Sequence, residues 1–391
     1  MCRKWRHNYR ISTDTKGKKG GGMSEWKKTY LRDLIVIKNG KDHKKLKNGQ
    51  YPVYGSGGIM RYADSYLYDQ ESVLLPRKGT LNNIQFVTEP FWTVDTCYYT
   101  VVNRGKVLPY FLYCCLCKMD IQSLNTGSAV PSMTFEKYYS IEVPIPPLST
   151  QHRIATILSR YDSLIENYQK QIKLLEEAAR RLYKEWFIDL RFPGHENTKI
   201  VDGLPEGWER KSVGEIGEYL NGFAFKPSDW QELGKPIIKI KEMGNGVTND
   251  TPRNNGERVP AKYLIKAGDL LFSWSATLMV IIWSGEDGWL NQHLFKVTPA
   301  KGINREFLLQ SISNTIVEFQ NLTTGSTMKH IQRNKLDQVF VNVPNAEIMK
   351  RYTDISEKTR SNILSLQSQI RLLTEARDRL LPKLMSGEIT V

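Results

Sequence analysis

The second half of this chain repeats the first half about 198 residues later. A Leu-x-Thr-Gly-Ser segment occurs twice, ending at Ser128 and at Ser326. Each segment precedes a short apolar stretch ending in Val-Pro, and each copy then continues into a long helical pattern. Because a repeat sets the architecture of a fold, the sequence predicts two similar units. An internally two-fold protein is a candidate for contacting a two-fold ligand, of which duplex DNA is the commonest.

The composition is that of a globular protein with a basic bias. The length of 391 residues is sufficient for two domains of ordinary size. There is no run of about 18 apolar residues, so no membrane span is expected, and the first residues lack the apolar region of a secretory signal. The formal net charge of +14 favours a polyanionic partner.

The first 22 residues are set apart by their charge. They are rich in glycine and aperiodic, and they contribute +6 of the net charge, which leaves +8 for the rest of the chain. The sequence predicts that they are disordered, either as the product of an upstream start codon or as a basic arm. Because +8 remains without them, the basic bias belongs to the whole chain.

The five cysteines predict a reducing compartment. An odd count without a secretory signal is typical of free thiols in a cytoplasm. Cys114, Cys115 and Cys117 lie in an apolar helical stretch with no His or Cys partner at a zinc-like spacing. Burial in a core is therefore the prediction for these three residues, and a metal site is the alternative.

Alignment of the two copies predicts an α+β unit that occurs twice. Trp26 matches Trp208 at an offset of 182, and Val73 matches Asp269 at an offset of 196. The second copy therefore carries an insertion of about 14 residues, and Gly244–Arg258 has the loop composition expected for it. Strands and one short helix per copy are predicted at 72–75, 84–87, 98–102, 109–118, 237–240, 269–272, 280–283, 294–297 and 305–319.

Each copy ends in a long amphipathic helix. In the first, apolar residues recur at alternating steps of four and three over about four and a half heptads, and the second keeps the same register with one break at Arg377. Such a narrow stripe favours another helix as its partner. The predicted seam comprises Ile154, Leu158, Tyr161, Ile165, Tyr168, Ile172, Leu175, Leu182, Ile363, Leu366, Ile370, Leu373 and Leu380.

Two arrangements of these helices are compatible with the pattern. Each helix could pack on its own globular half, or the two could form an intramolecular coiled coil. A helix of about 37 residues is about 55 Å long, which makes it a spacer. Helices related by a two-fold axis must run antiparallel, so the globular halves would lie at opposite ends in opposite senses. This arrangement would be able to contact two inverted DNA half-sites.

Three segments give the chain a family resemblance. They are the start of the first long helix at Pro146–Ala155, the opening of the second copy at Leu204–Trp208, and the final segment Leu380–Ile389. Together with the order of globular half and long helix, they resemble the specificity (S) subunits of type I restriction-modification systems. One departure is the start of the second helix at Val343–Ile348, which lacks the Pro-Leu-x-x-Gln pattern of the first.

The resemblance implies a role and a set of partners. Each globular half would be a target-recognition domain that reads one half of a bipartite, asymmetric DNA sequence, separated by an antiparallel coiled coil. Two methyltransferase (M) subunits would dock on the chain, with restriction/translocase (R) subunits in the full complex. S-adenosylmethionine, ATP and magnesium are expected on those partners, with no cofactor on this chain. The implied division is an extension (1–22), domain 1 (23–148), helix 1 (149–187), a linker (188–206), domain 2 (207–345), helix 2 (346–386) and a tail (387–391).

The sequence lacks the motifs of a self-contained DNA enzyme. It has no Gly-x-x-x-x-Gly-Lys-Ser/Thr nucleotide loop and no Asn/Asp-Pro-Pro-Tyr/Phe methyltransferase motif. Its six histidines are scattered without metal-ligand spacing. A non-catalytic subunit is therefore expected. The alternatives are a fused methyltransferase-nuclease and a coiled-coil scaffold that does not read bases.

Candidate DNA contacts lie on loops at corresponding positions of the two copies. Arg can pair with guanine and Asn with adenine, while hydroxyls, lysines and Gly-flanked backbone suit phosphates. For each loop the alternative is a polar turn that only joins strands. The candidates in the first copy are Ser56, Arg61, Arg77, Lys78, Thr80, Asn82, Asn83, Thr126 and Ser128. Those in the second copy are Ser273, Ser275, Asn291, Gln292, His293, Thr324, Ser326, Lys329 and His330.

Overall fold

The computed structural model describes residues 26–125, 130–322 and 333–391. The chain forms two compact units. Unit 1 comprises the chain up to Ile165 together with Leu372–Val391, and unit 2 comprises Glu166–Arg371. Each unit therefore contains one globular half and a part of both long helices.

The first repeat is a series of short strands with two short helices, followed by one long helix. Its strands are β1 (Lys27–Tyr30), β2 (Ile35–Lys38), β3 (Tyr51–Gly55), β4 (Gly58–Ala63), β5 (Ser72–Pro76), β6 (Gln85–Val87), β7 (Trp92–Thr93), β8 (Cys97–Val102) and β9 (Glu142–Ile145). Its helices are α1 (Pro109–Cys117), α2 (Phe135–Tyr139) and α3 (Leu148–Tyr183), which continues as a π-helical turn over Lys184–Ile188.

The second repeat has the same order with additions. Its strands are β10 (Ile200–Val201), β11 (Leu204–Pro205), β12 (Glu209–Ser212), β13 (Gly217–Asn221), β14 (Lys235–Ile238), β15 (Arg253–Asn254), β16 (Leu264–Ile265), β17 (Leu270–Ser273), β18 (Met279–Ile282), β19 (Gly288–Leu290), β20 (Leu294–Pro299) and β21 (Phe340–Val343). Its helices are α4 (Ile240–Asn245), α5 (Arg305–Leu322) and α6 (Ala346–Met385).

The strands of unit 1 form three sheets. An antiparallel sheet has the order β2-β8-β5-β6, and a smaller sheet has the order β4-β3-β7, in which β3 and β7 are parallel. Strands β1 and β9 pair on their own and bring the start of the unit next to the start of α3. The core lies between the larger sheet and α1, where Val73, Leu75 and Phe111 are fully buried.

Unit 2 repeats this topology with extra strands. Its antiparallel sheet has the order β13-β20-β17-β18, its second sheet the order β15-β14-β19-β16, and β12 pairs with β21. Strands β14 and β19 are parallel, as β3 and β7 are in unit 1. The correspondence of strand orders confirms the duplicated α+β fold that the sequence predicts.

The insertion of the second copy is more ordered than its composition indicates. The sequence predicts a strand ending at Ile240 and a loop over Gly244–Arg258, but α4 begins at Ile240 and β15 occupies Arg253–Asn254. The helix forms because the Glu242 carboxylate accepts a hydrogen bond from the backbone N–H of Lys239 at 3.1 Å and so caps its first turn. The predicted strand is correct at 237–238 and wrong at Ile240, and the predicted loop is wrong only at 244–245 and 253–254.

The prediction of two long helices is confirmed. In unit 1 the first turns of α3 and the last turns of α6 share one core, in which Ile154, Leu158 and Leu381 are buried. In unit 2 the ring centres of Trp186 and Tyr352 lie 5.9 Å apart, and Leu175 and Leu366 line one groove. Within unit 2, then, α3 and α6 run antiparallel, because lower numbers on one helix meet higher numbers on the other.

The predicted seam residues are buried or half-buried in the structure. Ile154, Leu158, Ile165 and Ile363 are at most 3% exposed. The other predicted positions are half-buried: Tyr161, Tyr168, Ile172, Leu175, Leu182, Leu366, Ile370, Leu373 and Leu380.

The cysteines of the described residues lie in the core of unit 1. Cys114, Cys115 and Cys117 are between 5% and 7% exposed and pack in the cluster that includes α1. The predicted burial of this group is therefore confirmed. No helix within the described ranges is long and apolar enough to cross a membrane.

Candidate nucleic-acid interface

The loop that follows β5 in unit 1 is closed by backbone hydrogen bonds. The N–H of Arg77 donates to Thr96 O at 2.9 Å, and that of Gly79 donates to Pro131 O at 2.9 Å. Gly79 has a φ of +86°, which glycine adopts without strain. The side chains of Lys78 and Thr80 are consequently presented to solvent on an ordered turn.

Arg77 stands at the edge of this turn. Its guanidinium donates to Asp95 O at 3.4 Å and lies 5.9 Å from the centre of the Tyr98 ring. Burial raises the pKa of Tyr98, and the positive charge of Arg77 partly offsets that rise. Arg77 is half-buried, so its guanidinium is held in place but still reaches solvent, which a contact with a base edge requires.

The two asparagines of the loop are engaged with the protein. Asn83 is 6% exposed, and its amide donates to Ser56 O at 2.7 Å. Asn82 donates to the Asp120 carboxylate at 3.1 Å and accepts from the N–H of Gln122 at 2.8 Å. The Asn83 bond joins the Ser56 turn to the Arg77 loop, and the Asn82 bonds join that loop to the segment 120–122. Direct contact of the two asparagines with bases stays a prediction.

Arg61 has partners on a neighbouring loop. Its guanidinium donates to Leu46 O at 2.9 Å and to Asn48 Oδ1 at 3.1 Å. These bonds fix the segment before β3 against the β3–β4 hairpin. In this structure Arg61 thus orders a loop, and its predicted contact with DNA is untested.

The first Gly-Ser loop begins and ends beside the Arg77 loop. Thr126 and Ser128 lie outside the described residues. The residues on either side of them are close together, since the N–H of Ser132 donates to Asn125 Oδ1 at 2.7 Å. Ser132 also forms a β-bridge with Lys78. In the second copy, Thr324, Ser326, Lys329 and His330 likewise lie outside the described residues.

Three candidates of unit 2 are buried supports. Ser273 is fully buried, and its hydroxyl accepts from the N–H of Met279 at 2.9 Å, which holds the β17–β18 turn. Ser275 and Asn291 are 4% and 5% exposed. Asn291 Oδ1 accepts from the N–H of His293 at 3.4 Å. The polar side chains of this region that solvent can reach are therefore those of neighbouring residues.

Those neighbours are the half-buried side chains of Trp274, Gln292 and His293. Trp274 donates through Nε1 to Asn221 Oδ1 at 3.2 Å, and its ring centre lies 5.8 Å from that of His293. Gln292 lies 3.4 Å from His293 Nε2. The predicted contacts include Gln292 and His293; Trp274 lies within the predicted segment 273–275 without being one of the predicted contacts, and Asn221 is not part of the prediction.

The two groups occupy equivalent places in the repeated fold. In unit 1 the residue after β5 bonds to the turn at 95–96, and in unit 2 the N–H of Trp274 donates to His293 O at 3.4 Å. Strands β5 and β17 correspond in the sheet order. Trp274 therefore occupies in unit 2 the backbone position that Arg77 occupies in unit 1, and His293 occupies the position of Thr96.

A second basic surface of unit 1 was missed by the sequence prediction. The segment from Lys41 to Lys47 follows β2 and reads Lys-Asp-His-Lys-Lys-Leu-Lys, and each of its four lysines is exposed. The charge run was visible in the sequence, but polar loops of this kind are common. Among the described residues, no group of three or more His, Cys, Asp or Glu is placed to hold a metal ion.

Comparison with known proteins gives a consistent result for both repeats. Residues 23–177 and 205–371 match the family described as type I restriction modification DNA specificity domain. The chain is 24% identical to the type I restriction enzyme MjaIX specificity subunit of Methanocaldococcus jannaschii, over 83% of this chain and 79% of that one. It is also 24% identical to the HindI specificity subunit of Haemophilus influenzae, over 73% of this chain and 79% of that one.

A solved structure has the same fold. The crystal structure of a type I restriction-modification S subunit from M. genitalium aligns with a TM-score of 0.59, at 16% identity, over 93% of this chain and 97% of that one. The duplicated α+β units with paired loops and two long helices thus define a DNA specificity protein. The chain belongs to the family of type I restriction modification DNA specificity domains, and the sequence resemblance to S subunits is confirmed.

Proposed function

We propose that each globular unit reads one half of a bipartite and asymmetric DNA sequence. The observation that carries this proposal is the difference between two equivalent loops. Arg77 of unit 1 offers a charged donor, whereas Trp274 at the equivalent position of unit 2 offers an aromatic ring, with the polar side chains of Gln292 and His293 beside it. Different side chains on the same framework would select different bases, because base edges differ in their donors and acceptors.

The chain would act without catalysing a reaction itself. Its relatives are named as subunits of type I restriction enzymes, which supports methyltransferase and restriction/translocase subunits as partners in the bacterial or archaeal cytoplasm. Those partners would bind S-adenosylmethionine, ATP and magnesium. The long helices would set the number of unread base pairs and provide the docking surface for the methyltransferase subunits.

Mapping of methylated adenines tests the proposal. The chain is co-expressed with its methyltransferase subunits in a host without other adenine methylation, and the modified sites are mapped genome-wide. We expect a single split sequence with two unrelated halves. Methylation at a continuous sequence, or at two identical half-sites, would contradict the proposal.

The Arg77→Ala variant tests the assignment of one loop. Loss of a bidentate contact costs roughly 1–3 kcal/mol of discrimination at one base pair. We expect one half-site to become relaxed at one position and the other half-site to be unchanged. Arg104→Ala is the matched control, since Arg104 is an exposed arginine of the same unit that pairs with Glu71 at 3.0 Å. If both half-sites are read as before in the Arg77 variant, the contact assignment is wrong.

A scaffold that joins proteins without reading bases is the second candidate. The paired long helices favour it, since they provide a surface for other chains. The two candidates differ in their binding to DNA. A scaffold binds duplex DNA weakly and with no sequence preference, whereas the specificity subunit shows steep salt dependence and a preferred sequence.

A further inference from the structure

The segment 38–47, which begins at the last residue of β2, concentrates positive charge at one place on unit 1. Within ten residues it carries Lys38, Lys41, Lys44, Lys45 and Lys47 against a single acid, Asp42. All five lysines are exposed. The segment therefore has a formal charge of +4 with His43 neutral, about half of the +8 that remains outside the first 22 residues.

Within the described ranges, no carboxylate lies within 4.0 Å of these five ammonium groups. Asp42 instead accepts a hydrogen bond from the backbone N–H of Lys44 at 3.0 Å. That bond holds the pKa of Asp42 below its usual value, so the carboxylate stays ionised and caps the turn. The ammonium groups are left available for a negatively charged partner.

The backbone under these lysines is firmly anchored. At the first end, Lys41 N–H donates to Thr93 O at 2.8 Å, and the Trp92 indole donates to Lys41 O at 2.9 Å. Gly40 packs so closely that a Cβ atom there would stand 2.0 Å from Val94 O. The loop therefore begins directly on the small sheet of unit 1.

The second end of the loop is fixed as well. Leu46 packs on the buried residues Val53, Ala63 and Val94, and Arg61 donates to Leu46 O at 2.9 Å. Lys47 and Asp64 exchange two hydrogen bonds, at 3.2 Å and 3.1 Å. Because both ends and one central side chain are held, little backbone entropy remains to be lost when the lysines bind a partner.

The corresponding sheet of unit 2 is different. There Lys241 lies 3.4 Å from Asp250, and Arg253 lies 3.2 Å from Glu286. Lys239 lies 4.5 Å above the Trp230 ring. These three basic groups already have partners inside the unit, whereas the five lysines of unit 1 have no carboxylate within 4.0 Å among the described residues.

We propose that the basic loop Lys41–Lys47 of unit 1 grips the phosphate backbone of duplex DNA independently of sequence. The proposal rests on the proposed function. Lysine is a compact point charge that attracts phosphates without the planar geometry that selects a base. Each phosphate that the loop neutralises releases a counterion and steepens the salt dependence of binding. Unit 1 would then supply more of the salt-sensitive affinity, and unit 2 less.

The test measures binding of the full chain to a labelled duplex of about 40 random base pairs, from about 50 to about 200 mM salt. The test variant is Lys44→Gln with Lys45→Gln and Lys47→Gln. The control is Lys199→Gln with Lys266→Gln and Lys301→Gln, three exposed lysines of unit 2 that lie outside the long helices. Circular dichroism and thermal unfolding of both variants confirm that the fold is retained.

We expect the test variant to lose affinity by roughly tenfold to a hundredfold at the lower salt concentrations and its log–log salt slope to fall by up to about 3. The control should keep the wild-type slope, and the methylated sequence should be unchanged in both. A wild-type slope in the test variant would overturn the inference while leaving the proposed function intact. Retained DNA binding with weaker assembly of the methyltransferase complex would also overturn it, because the loop would then bind an acidic protein surface. If the wild-type chain itself shows no salt-dependent binding to duplex DNA, the proposed function fails first.

Discussion

Each unit has an ion pair where a long helix packs on the globular part. The acid and the base of the pair exchange places between the two units. In unit 1, Asp162 of α3 accepts a hydrogen bond from the Tyr110 hydroxyl at 2.6 Å and another from Arg377 of α6. In unit 2, Arg360 of α6 donates to both carboxylate oxygens of Glu306, at 2.8 and 3.1 Å. Arg360 follows Asp162 by 198 residues and Glu306 follows Tyr110 by 196, so the positions are equivalent.

Both repeats therefore place a charged side chain at the same position of the long helix, but the charge is negative at Asp162 and positive at Arg360. In unit 1 the helix carries the acid, and the base comes from the last turns of the other long helix. In unit 2 the helix carries the base, and the acid comes from α5 of the globular part. A buried charge requires its partner, because burial without one costs several kcal/mol. Each pair therefore fixes how its own helix segment packs within its unit, and the two sets are not interchangeable.

The environment of the unit 1 group agrees with its bonding. Burial, together with the neighbouring Cys114 and Asp162, raises the pKa of Tyr110 well above its ordinary value, so its hydroxyl remains a donor. Burial by itself would lower the pKa of Arg377, but the hydrogen bond and the charge of Asp162 outweigh it and raise that pKa. Both groups thus keep the protonation state that the network needs.

The largest effect is expected for Arg360→Met. The Glu306 side chain is 3% exposed, and removal of the arginine that pairs with it costs about 3–5 kcal/mol of unfolding free energy. Urea unfolding followed by tryptophan fluorescence measures this loss. The Trp186 ring centre lies 5.9 Å from that of Tyr352, which is on α6 like Arg360. The double variant Glu306→Leu with Arg360→Met is the control and should recover most of the loss. Equal stability of the single variant and the wild type would show that the pair has no structural role.

A smaller effect is expected for Arg377→Met in unit 1. The Asp162 side chain is 20% exposed and keeps its bond from Tyr110, so the loss should be about 1–3 kcal/mol. Chemical unfolding followed by circular dichroism measures it, with Asp162→Leu plus Arg377→Met as the matched double variant. A loss as large as that of Arg360→Met would mean that the greater exposure of Asp162 does not lower the cost of removing its arginine partner.

The Tyr110→Phe variant removes the other donor to Asp162. Arg377 remains bonded to the carboxylate, so the expected loss is about 1 kcal/mol, that of one hydrogen bond. Tyr62→Phe is the control, because that tyrosine is 51% exposed on β4. If Tyr110→Phe costs more than Arg377→Met, the hydroxyl and not the arginine is the main partner of Asp162.

More of the secondary structure than of the side-chain contacts could be predicted from the sequence. Heptad spacing identified both long helices, and it marked Arg377 as the one break in the seam. It could not identify Asp162 as the partner, because 215 residues separate the two in sequence. The repeat likewise predicted the strands, since β-branched and aromatic residues recur at matching positions.

The candidate site shows the same limit. Residue type made Asn82, Asn83 and Arg61 good candidates for base contacts, but their hydrogen-bonding groups meet Asp120, Ser56 and Leu46 in the fold. Such partners lie between 15 and 38 residues away along the chain, and no local pattern reveals them. Loop positions could therefore be predicted from the sequence, whereas the availability of individual side chains could not.

The smallest effect is expected for an ion pair that differs from the buried ones chiefly in exposure. Arg351 and Glu347 are four residues apart on the first turns of α6, 2.7 Å from each other, with side chains 51% and 70% exposed. Water solvates both charges whether or not they pair, so Arg351→Gln should cost at most about 0.5 kcal/mol. The same unfolding measurement applies, and the cost should shrink further at high salt because exposed pairs are screened. Since Arg351 and Arg360 lie on the same helix, a comparable loss in both variants would show that helix charge, and not burial at the junction, determines stability there.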